Sequence, residues 1–320
     1  MKRRREVIAI LGGAAALLPT GALAQEPGRV YRLGFLIPTR RESPAVAAFF
    51  DELRLNGFIE GQNLTVVPGG FGVRNEEMAE MAATMVKAAP DAIVAGPDLQ
   101  LRAVQAVTRT IPAIGMTEDM VAAGFAASLA RPGGNITGIS LLSPELDGKR
   151  QALLMEAVPA ARRMAALADS RVTPPQHLQG LQEAARARGV ELAVFGVGMP
   201  EEIAPAIAEA KAAGAEAINF LATPLFLVNS GVVFEQIAAA RLPAIYQWPE
   251  LAEQGGLSGY GPRFVQVYRQ RARMVVKILR GAKAADLPVE QPTHFELVIN
   301  LKAARAIDHE VPAGLVLRAD

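Results

Sequence analysis

The sequence predicts an α/β protein built from two doubly wound parallel-sheet lobes. Short apolar runs alternate with longer helical patterns along most of the chain, the signature of parallel strands joined by crossover helices. The alternation breaks at a turn-rich stretch near the middle and then restarts. At 320 residues there is also room for two domains of roughly 100–200 residues each.

In the first half, strands are expected over 33–37, 64–67, 91–95 and 111–115. Ser43-Pro44 reads as an N-cap followed by proline at the first helical position, and Gly57 as the stop of the helix between them. Asn75 is expected to cap a helix running to 88, and a further helix covers 98–109. Arg131-Pro132-Gly133-Gly134-Asn135 is turn chemistry, after which 136–142 reads as extended. The second half restarts with a helix from Ser143-Pro144 to 158, then strand 164–168, helix 175–188, strand 191–197, helix 200–213 and strand 217–222. Helix 228–240, strands 244–247 and 257–260, a long helix 264–280 and a strand over 295–299 complete the pattern.

Composition removes several function classes. Hydrophobic residues at 51% and charged residues at 20% supply apolar surface for two cores and exclude a disordered chain. Cysteine is absent, so disulfides, thiolate metal sites and a cysteine nucleophile are excluded together. With only His177, His294 and His309, no histidine metal cage and no cofactor is expected. The formal net charge is +1, but Lys2, Arg3, Arg4, Arg5 and Glu6 all fall in residues 1–24, leaving −2 on the remainder. Such a near-neutral body has no nucleic-acid footprint.

Residues 1–24 read as an export signal. The basic run 2–5 precedes an apolar stretch over 7–18, and Ala22-Leu23-Ala24 offers a small-residue cleavage site before Gln25. Arg4-Arg5 also fits a twin-arginine address. The apolar stretch is shorter than the roughly 20 residues a membrane span needs, and no later segment reaches that length without charges. A mature chain outside the cytoplasm, with no direct membrane insertion, is therefore expected.

Catalytic signatures are missing: there is no G-x-S-x-G elbow, no phosphate loop, no H-E-x-x-H and no G-x-G-x-x-G opening the first helix. The cluster Gly255-Gly256-Leu257-Ser258-Gly259-Tyr260-Gly261 reads as turn and hinge geometry. Acidic pairs Glu76-Glu77 and Glu201-Glu202 fall in first helical turns, where they complement the helix dipole. No catalytic residue is expected.

Four phrases carry a family resemblance. Gly57-Phe58-Ile59-Glu60-Gly61-Gln62-Asn63, Ser128-Leu129-Ala130-Arg131-Pro132-Gly133-Gly134-Asn135-Ile136-Thr137-Gly138, Leu242-Pro243-Ala244-Ile245-Tyr246 and Pro292-Thr293-His294-Phe295-Glu296-Leu297-Val298-Ile299-Asn300 occur in order over essentially the whole chain. In them the sequence resembles the ABC-transporter substrate-binding family that includes the tryptophan- and tyrosine-type periplasmic binding proteins. The resemblance implies a type I periplasmic-binding fold, two flavodoxin-like lobes closing on a small solute. It implies as partners a small-molecule ligand and a membrane permease with its ATPase. Two loops depart from the family's usual wording: Ala222-Thr223-Pro224, where an acidic residue often precedes the proline, and Ala168-Asp169-Ser170, where asparagine-proline is usual.

The lobes are expected to comprise residues 25–138 with 262–292, and 139–261 with 293–320, exchanging strands near 136–142, 259–262 and 295–300. In open α/β sheets a ligand binds beyond the carboxyl ends of the strands. That rule selects Thr39, Arg40 and Ser43, then Pro97 and Asp98, then Thr117, Glu118 and Asp119 in the first lobe. In the second it selects Asp169, Ser170 and Arg171, then Thr223, Pro224 and Phe226, then Trp248. Hydroxyls of Ser43, Thr117, Ser170 and Thr223 would serve a ligand or merely cap helices, and Arg40, Arg41 and Arg171 could meet an anion. For an ammonium group, Asp119 matches the family's small-residue-Asp segment, with Asp98 and Glu118 as alternatives. Helix N-termini converging from both lobes suit a carboxylate. Trp248 and Phe226 suit a flat or branched apolar group. The expected ligand is an aromatic or branched amino acid, or an aromatic carboxylate. The expected function is solute capture for an ABC importer; a ligand-sensing partner of a membrane receptor and an exported enzyme are the alternatives.

Overall fold

The computed structural model describes residues 28–141 and 143–320, so the export signal expected over 1–24 lies outside the described residues. The first lobe runs β1 (Tyr31–Leu36), α1 (Pro44–Leu55), β2 (Leu64–Val66), α2 (Met78–Lys87), β3 (Ala92–Ala95), α3 (Asp98–Val107), β4 (Ala113–Thr117) and β5 (Ile136–Ser140). Its five strands are parallel in the order β2-β1-β3-β4-β5. Every residue of β3, β4 and β5 is buried. A strand covered on both faces is apolar or small along most of its length, which is why these segments read as near-continuous runs and not as alternating ones.

The second lobe follows with α4 (Ser143–Ala157), β6 (Arg163–Asp169), α5 (Pro175–Arg186), β7 (Glu191–Val197), α6 (Ile203–Ala212), β8 (Ile218–Phe220), α7 (Pro224–Val228), α8 (Ser230–Ala240), β9 (Ala244–Tyr246), α9 (Pro249–Glu253) and β10 (Ser258–Gly261). Then come α10 (Phe264–Leu279), β11 (Glu296–Ile299), α11 (Leu301–Ala306) and α12 (Ala313–Val316). The sheet order is β11-β10-β9-β8-β6-β7, with β11 antiparallel to β10 and the other pairs parallel. In both sheets the first strand of the lobe, β1 or β6, lies between the second and the third, so each has a switch point at which a crevice opens.

Helix α10 belongs physically to the first lobe. It packs along α1, where Glu52 pairs with Arg269 and Arg273 at 3.7 and 3.5 Å, and it reaches β3, β4 and β5. Its buried face carries Val267, Tyr268, Arg271, Ala272, Val275 and Leu279, the helical repeat of an amphipathic element. The chain crosses between lobes after β5, before α10 and before β11. The turn-rich breaks mark these crossings, and β10 and β11 pair with each other inside the second sheet. β5 stays wholly in the first sheet through Ser140, which places the expected boundary at 138 inside a strand. On the return, Glu290 bridges to Ile139 and exchanges backbone hydrogen bonds with Gly138 and Ser140.

Several local expectations are corrected. Asn75 does not cap α2; it opens a 3-10 turn over Asn75–Glu77 that precedes the helix. The helix expected over 228–240 is two helices, because Thr223 caps α7 five residues earlier and Asn229 ends it. The short helices α9, α11 and α12 were not foreseen, since four to six residues give too little periodicity to read. No helix among the described residues is long and apolar enough to cross a membrane.

Candidate functional site

Strand ends from both lobes meet around one cavity. Pro38 and Thr39 follow β1, Gly96 and Pro97 follow β3, Met116 and Glu118 come from the end of β4, and Leu141 follows β5. The second lobe supplies Pro224, Leu227 and Val228 from α7, with Gln247 and Trp248 after β9. Phe264 and Tyr268, one turn apart on α10, close a further side. The walls are apolar and aromatic apart from the hydroxyls of Thr39 and Tyr268, the amide of Gln247 and the carboxyl of Glu118.

Glycine determines how closely these loops approach. Gly96 has φ +138°, and a Cβ there would stand 2.7 Å from the Met116 carbonyl oxygen. Only a residue without a side chain lets the β3 loop lie against β4. In the cluster read as turn and hinge geometry, Gly259 and Gly261 sit within β10 under the Gln247-Trp248 backbone. A Cβ would come to 2.4 Å from the Trp248 oxygen and 2.1 Å from the Gln247 oxygen. Their smallness lets the loop lie across β10 and carry Trp248 to the cavity. Trp248 is 3% exposed, its ring meets Phe264 edge-on at 4.8 Å, and its indole N–H has no hydrogen-bond acceptor among the described residues. The two rings form an aromatic corner of the cavity.

Glu118 reaches across the cleft, where Gln247 Nε2 donates to its Oε2 at 3.4 Å. Burial pushes its pKa up to about 8, the carboxylates of Asp147 and Asp98 push in the same direction, and Arg150 and the Gln247 amide oppose them. Asp147 belongs to a buried second-lobe network. It accepts from Arg150 at 2.5 Å and from the Ala222 backbone N–H at 3.2 Å, and it lies 2.9 Å from His177 Nε2. Asp98, half-buried in the first turn of α3, has its pKa raised mainly by burial. Negative potential thus converges on a cavity whose lining contains no lysine or arginine.

Of the residues named from the sequence, Thr39, Pro97, Glu118, Pro224 and Trp248 line this cavity. The others are used elsewhere. Ser43 caps α1, accepting from the Val46 N–H. Asp119 accepts from the N–H groups of Val121 and Ala122, both at 3.0 Å, so the acid matching the family segment is committed to a turn while its neighbour Glu118 faces the cavity. Asp169 accepts from Arg171 and from the Thr223 hydroxyl, and Thr223 also caps α7. Phe226 packs in the core against Phe220 at 5.2 Å. Arg40 and Ser170 are exposed, and Thr117 is fully buried at the end of β4. Arg41 pairs with Glu60 and lies 3.5 Å over the Phe50 ring, which occupies its charge. Phe264, Tyr268 and Asp147 were not named from the sequence. The aromatic pair at spacing four just after Pro262 was the available signal; Asp147, an acid inside α4, carried none.

Comparison with known proteins gives one family. The ABC transporter substrate binding protein family matches residues 45–320. A tyrosine-binding protein of Clostridioides difficile (strain R20291) is 25% identical over 272 residues, covering 82% of this chain and 76% of its own. Among solved structures, the ABC domain in complex with L-Trp from Streptococcus pneumonia superposes with TM-score 0.79 at 20% identity, covering 91% of this chain and 98% of that one. A conserved domain protein from Vibrio cholerae O1 biovar eltor superposes with TM-score 0.80 at 22% identity, with the same coverage. Likeness at these identities shows the two-lobed type I fold. With the family match extending over most of its length, this chain belongs to the ABC transporter substrate-binding proteins.

Proposed function

We propose that this protein is the extracytoplasmic binding component of an ABC importer and that its lobes close on an amino acid with an aromatic or branched side chain. The observation that carries the reading is the composition of the inter-lobe cavity: aromatic and aliphatic walls around one acid, Glu118, with no basic residue in the lining. A ligand ammonium group beside Glu118 would pair with its carboxylate while its side chain packs against Trp248, Phe264 and Tyr268. An aromatic carboxylate without an amine would bring a further negative charge towards Glu118, Asp147 and Asp98, so the amino acid is the better fit. The relatives that bind tyrosine or hold L-Trp support the same ligand class. Export of the mature chain from about Gln25 would place it where a permease and its ATPase partner could use it.

No bond chemistry is required. A ligand touching Thr39 and Glu118 from one lobe and Gln247 and Trp248 from the other makes contacts that exist together only when the lobes are closed, so it shifts the population to that state. The permease would then recognise the closed form. Native mass spectrometry of protein purified without added ligand, followed by a thermal-shift screen of the amino acids, tests this. The expected result is stabilisation by aromatic or branched amino acids; a shift confined to neutral sugars would overturn the reading.

A further inference from the structure

The cavity lining offers an acid for one end of a zwitterion and no base for the other, but a base lies one layer behind it. Arg271 is on α10, three residues after Tyr268, and is 0% exposed. Its Nη2 donates to the carbonyl oxygens of Ala95 and Ile114, and its Nε to Ile114 at 3.3 Å. Its Nη1 has no acceptor, and no ion pair to a carboxylate is found for it among the described residues. A buried guanidinium served only by carbonyl dipoles is an uncompensated charge, and the price of such burial is several-fold that of an exposed one. Burial lowers its pKa to about 10, so it remains charged at neutral pH.

The carbonyls that hold Arg271 lie in β3 and β4, the strands that lead into Gly96-Pro97 and Met116-Glu118 of the lining. The guanidinium carbon lies 5.9 Å from the Tyr268 ring centroid. Beyond that ring the Tyr268 hydroxyl meets Thr39 Oγ1 at 2.9 Å, and both residues line the cavity. Two hydroxyls carry two protons and their mutual bond uses one, so the pair retains one donor for an acceptor in the cavity. The ring that carries the Tyr268 hydroxyl lies against Arg271, which has no carboxylate partner among the described residues.

We propose that the Thr39–Tyr268 hydroxyl pair, backed by the buried charge of Arg271, receives the ligand's carboxylate, so that a zwitterionic ligand lies with its ammonium toward Glu118 and its carboxylate toward α10. This orientation rests on the amino-acid reading of the site and adds to it a specificity: the protein selects against decarboxylated amines. Helix α10 then supplies two walls of the pocket and a recognition element for the charged end of the ligand.

Titration calorimetry of L-tyrosine against tyramine, and of L-tryptophan against tryptamine, tests the proposal with the full-length mature protein. The parent is expected to favour each amino acid over its amine by about a hundredfold, and Tyr268→Phe or Thr39→Val to narrow that ratio about tenfold, the scale of one lost hydrogen bond to a charged group. The amine's own affinity should stay near the parent value in both variants. Arg271→Gln should narrow the ratio too, but it removes a core group, so the two hydroxyl variants decide the matter. Unchanged ratios in variants that keep the parent's melting temperature would overturn the carboxylate assignment while leaving amino-acid binding intact, as would equal affinity of the parent for tyrosine and tyramine. A parent that binds neither these amino acids nor their amines, nor L-leucine, overturns the proposed function, and this orientation with it.

Discussion

An ammonium group needs an ionised carboxylate, yet the ligand-free cleft holds Glu118 protonated up to about pH 8. Binding should therefore release a proton, and affinity should follow pH. At pH 6 the carboxyl is two units below its pKa, so about 1% is ionised and ionising the rest costs about 2.7 kcal/mol at roughly 1.4 kcal/mol per unit. With the ammonium holding the bound-state pKa below 6, the dissociation constant of an aromatic amino acid should fall about 50-fold between pH 6 and pH 8 and level off about twofold lower above it. Calorimetry in two buffers of different ionisation enthalpy reads the released proton directly, approaching one per ligand near pH 6.5. Glu118→Gln should abolish both the slope and the proton release and bind more weakly at pH 8. A flat affinity in the parent, or a slope that survives in Glu118→Gln, would refute the assignment of Glu118 as the ammonium partner.

The same acid affects stability without ligand. Its raised folded-state pKa means that its full contribution is present below the ordinary carboxylate range and is lost as pH rises through about 8, so the melting temperature of Glu118→Gln should gain on the parent over that interval and then stay ahead. Trp248→Ala should weaken ligand binding about tenfold or more and lower the melting temperature, since truncating a buried tryptophan costs roughly 3–5 kcal/mol. Because Trp248 is the single tryptophan, selective excitation should show its emission change when L-leucine fills the cavity, and an emission unmoved at saturation would contradict its place in the wall. Gly261→Ala, whose Cβ would meet the Gln247 oxygen at 2.1 Å, should lower both stability and affinity, whereas Gly231→Ala, with open space at its Cβ, should lower neither.

The fold was legible because buried parallel strands and amphipathic helices repeat over many residues: 92–95 and 113–116 are unbroken apolar runs, and α10 keeps one buried face for 16 residues. Where β5 ends relative to the first crossing was not legible, since turn residues mark where the chain changes direction and not which partner it meets next. The site was legible only as a set of loops. Ser43, Asp119 and Thr223 follow strands just as Glu118 does, but a polar side chain at a loop end can turn onto its own backbone, and these three do so. Glu118 differs because burial and facing carboxylates act on it, and those come from Asp147 and Asp98, elements distant in sequence. Phe264 and Tyr268 were hidden for a similar reason: a helix read as a crossing between lobes also forms a wall of the cleft. The glycines of β10 have a meaning that requires the neighbouring loop, since only the approach of Gln247 and Trp248 makes a side chain there impossible.

A crystal structure of the mature protein grown with L-tyrosine tests capture between the lobes most directly. The expected result is one ligand in the cavity, its amino group on Glu118, its ring against Trp248 and Phe264, and contacts to both lobes. A ligand bound to one lobe only, or a cavity left without ligand at saturating L-tyrosine and L-tryptophan, would contradict the claim that this cleft closes on an aromatic amino acid.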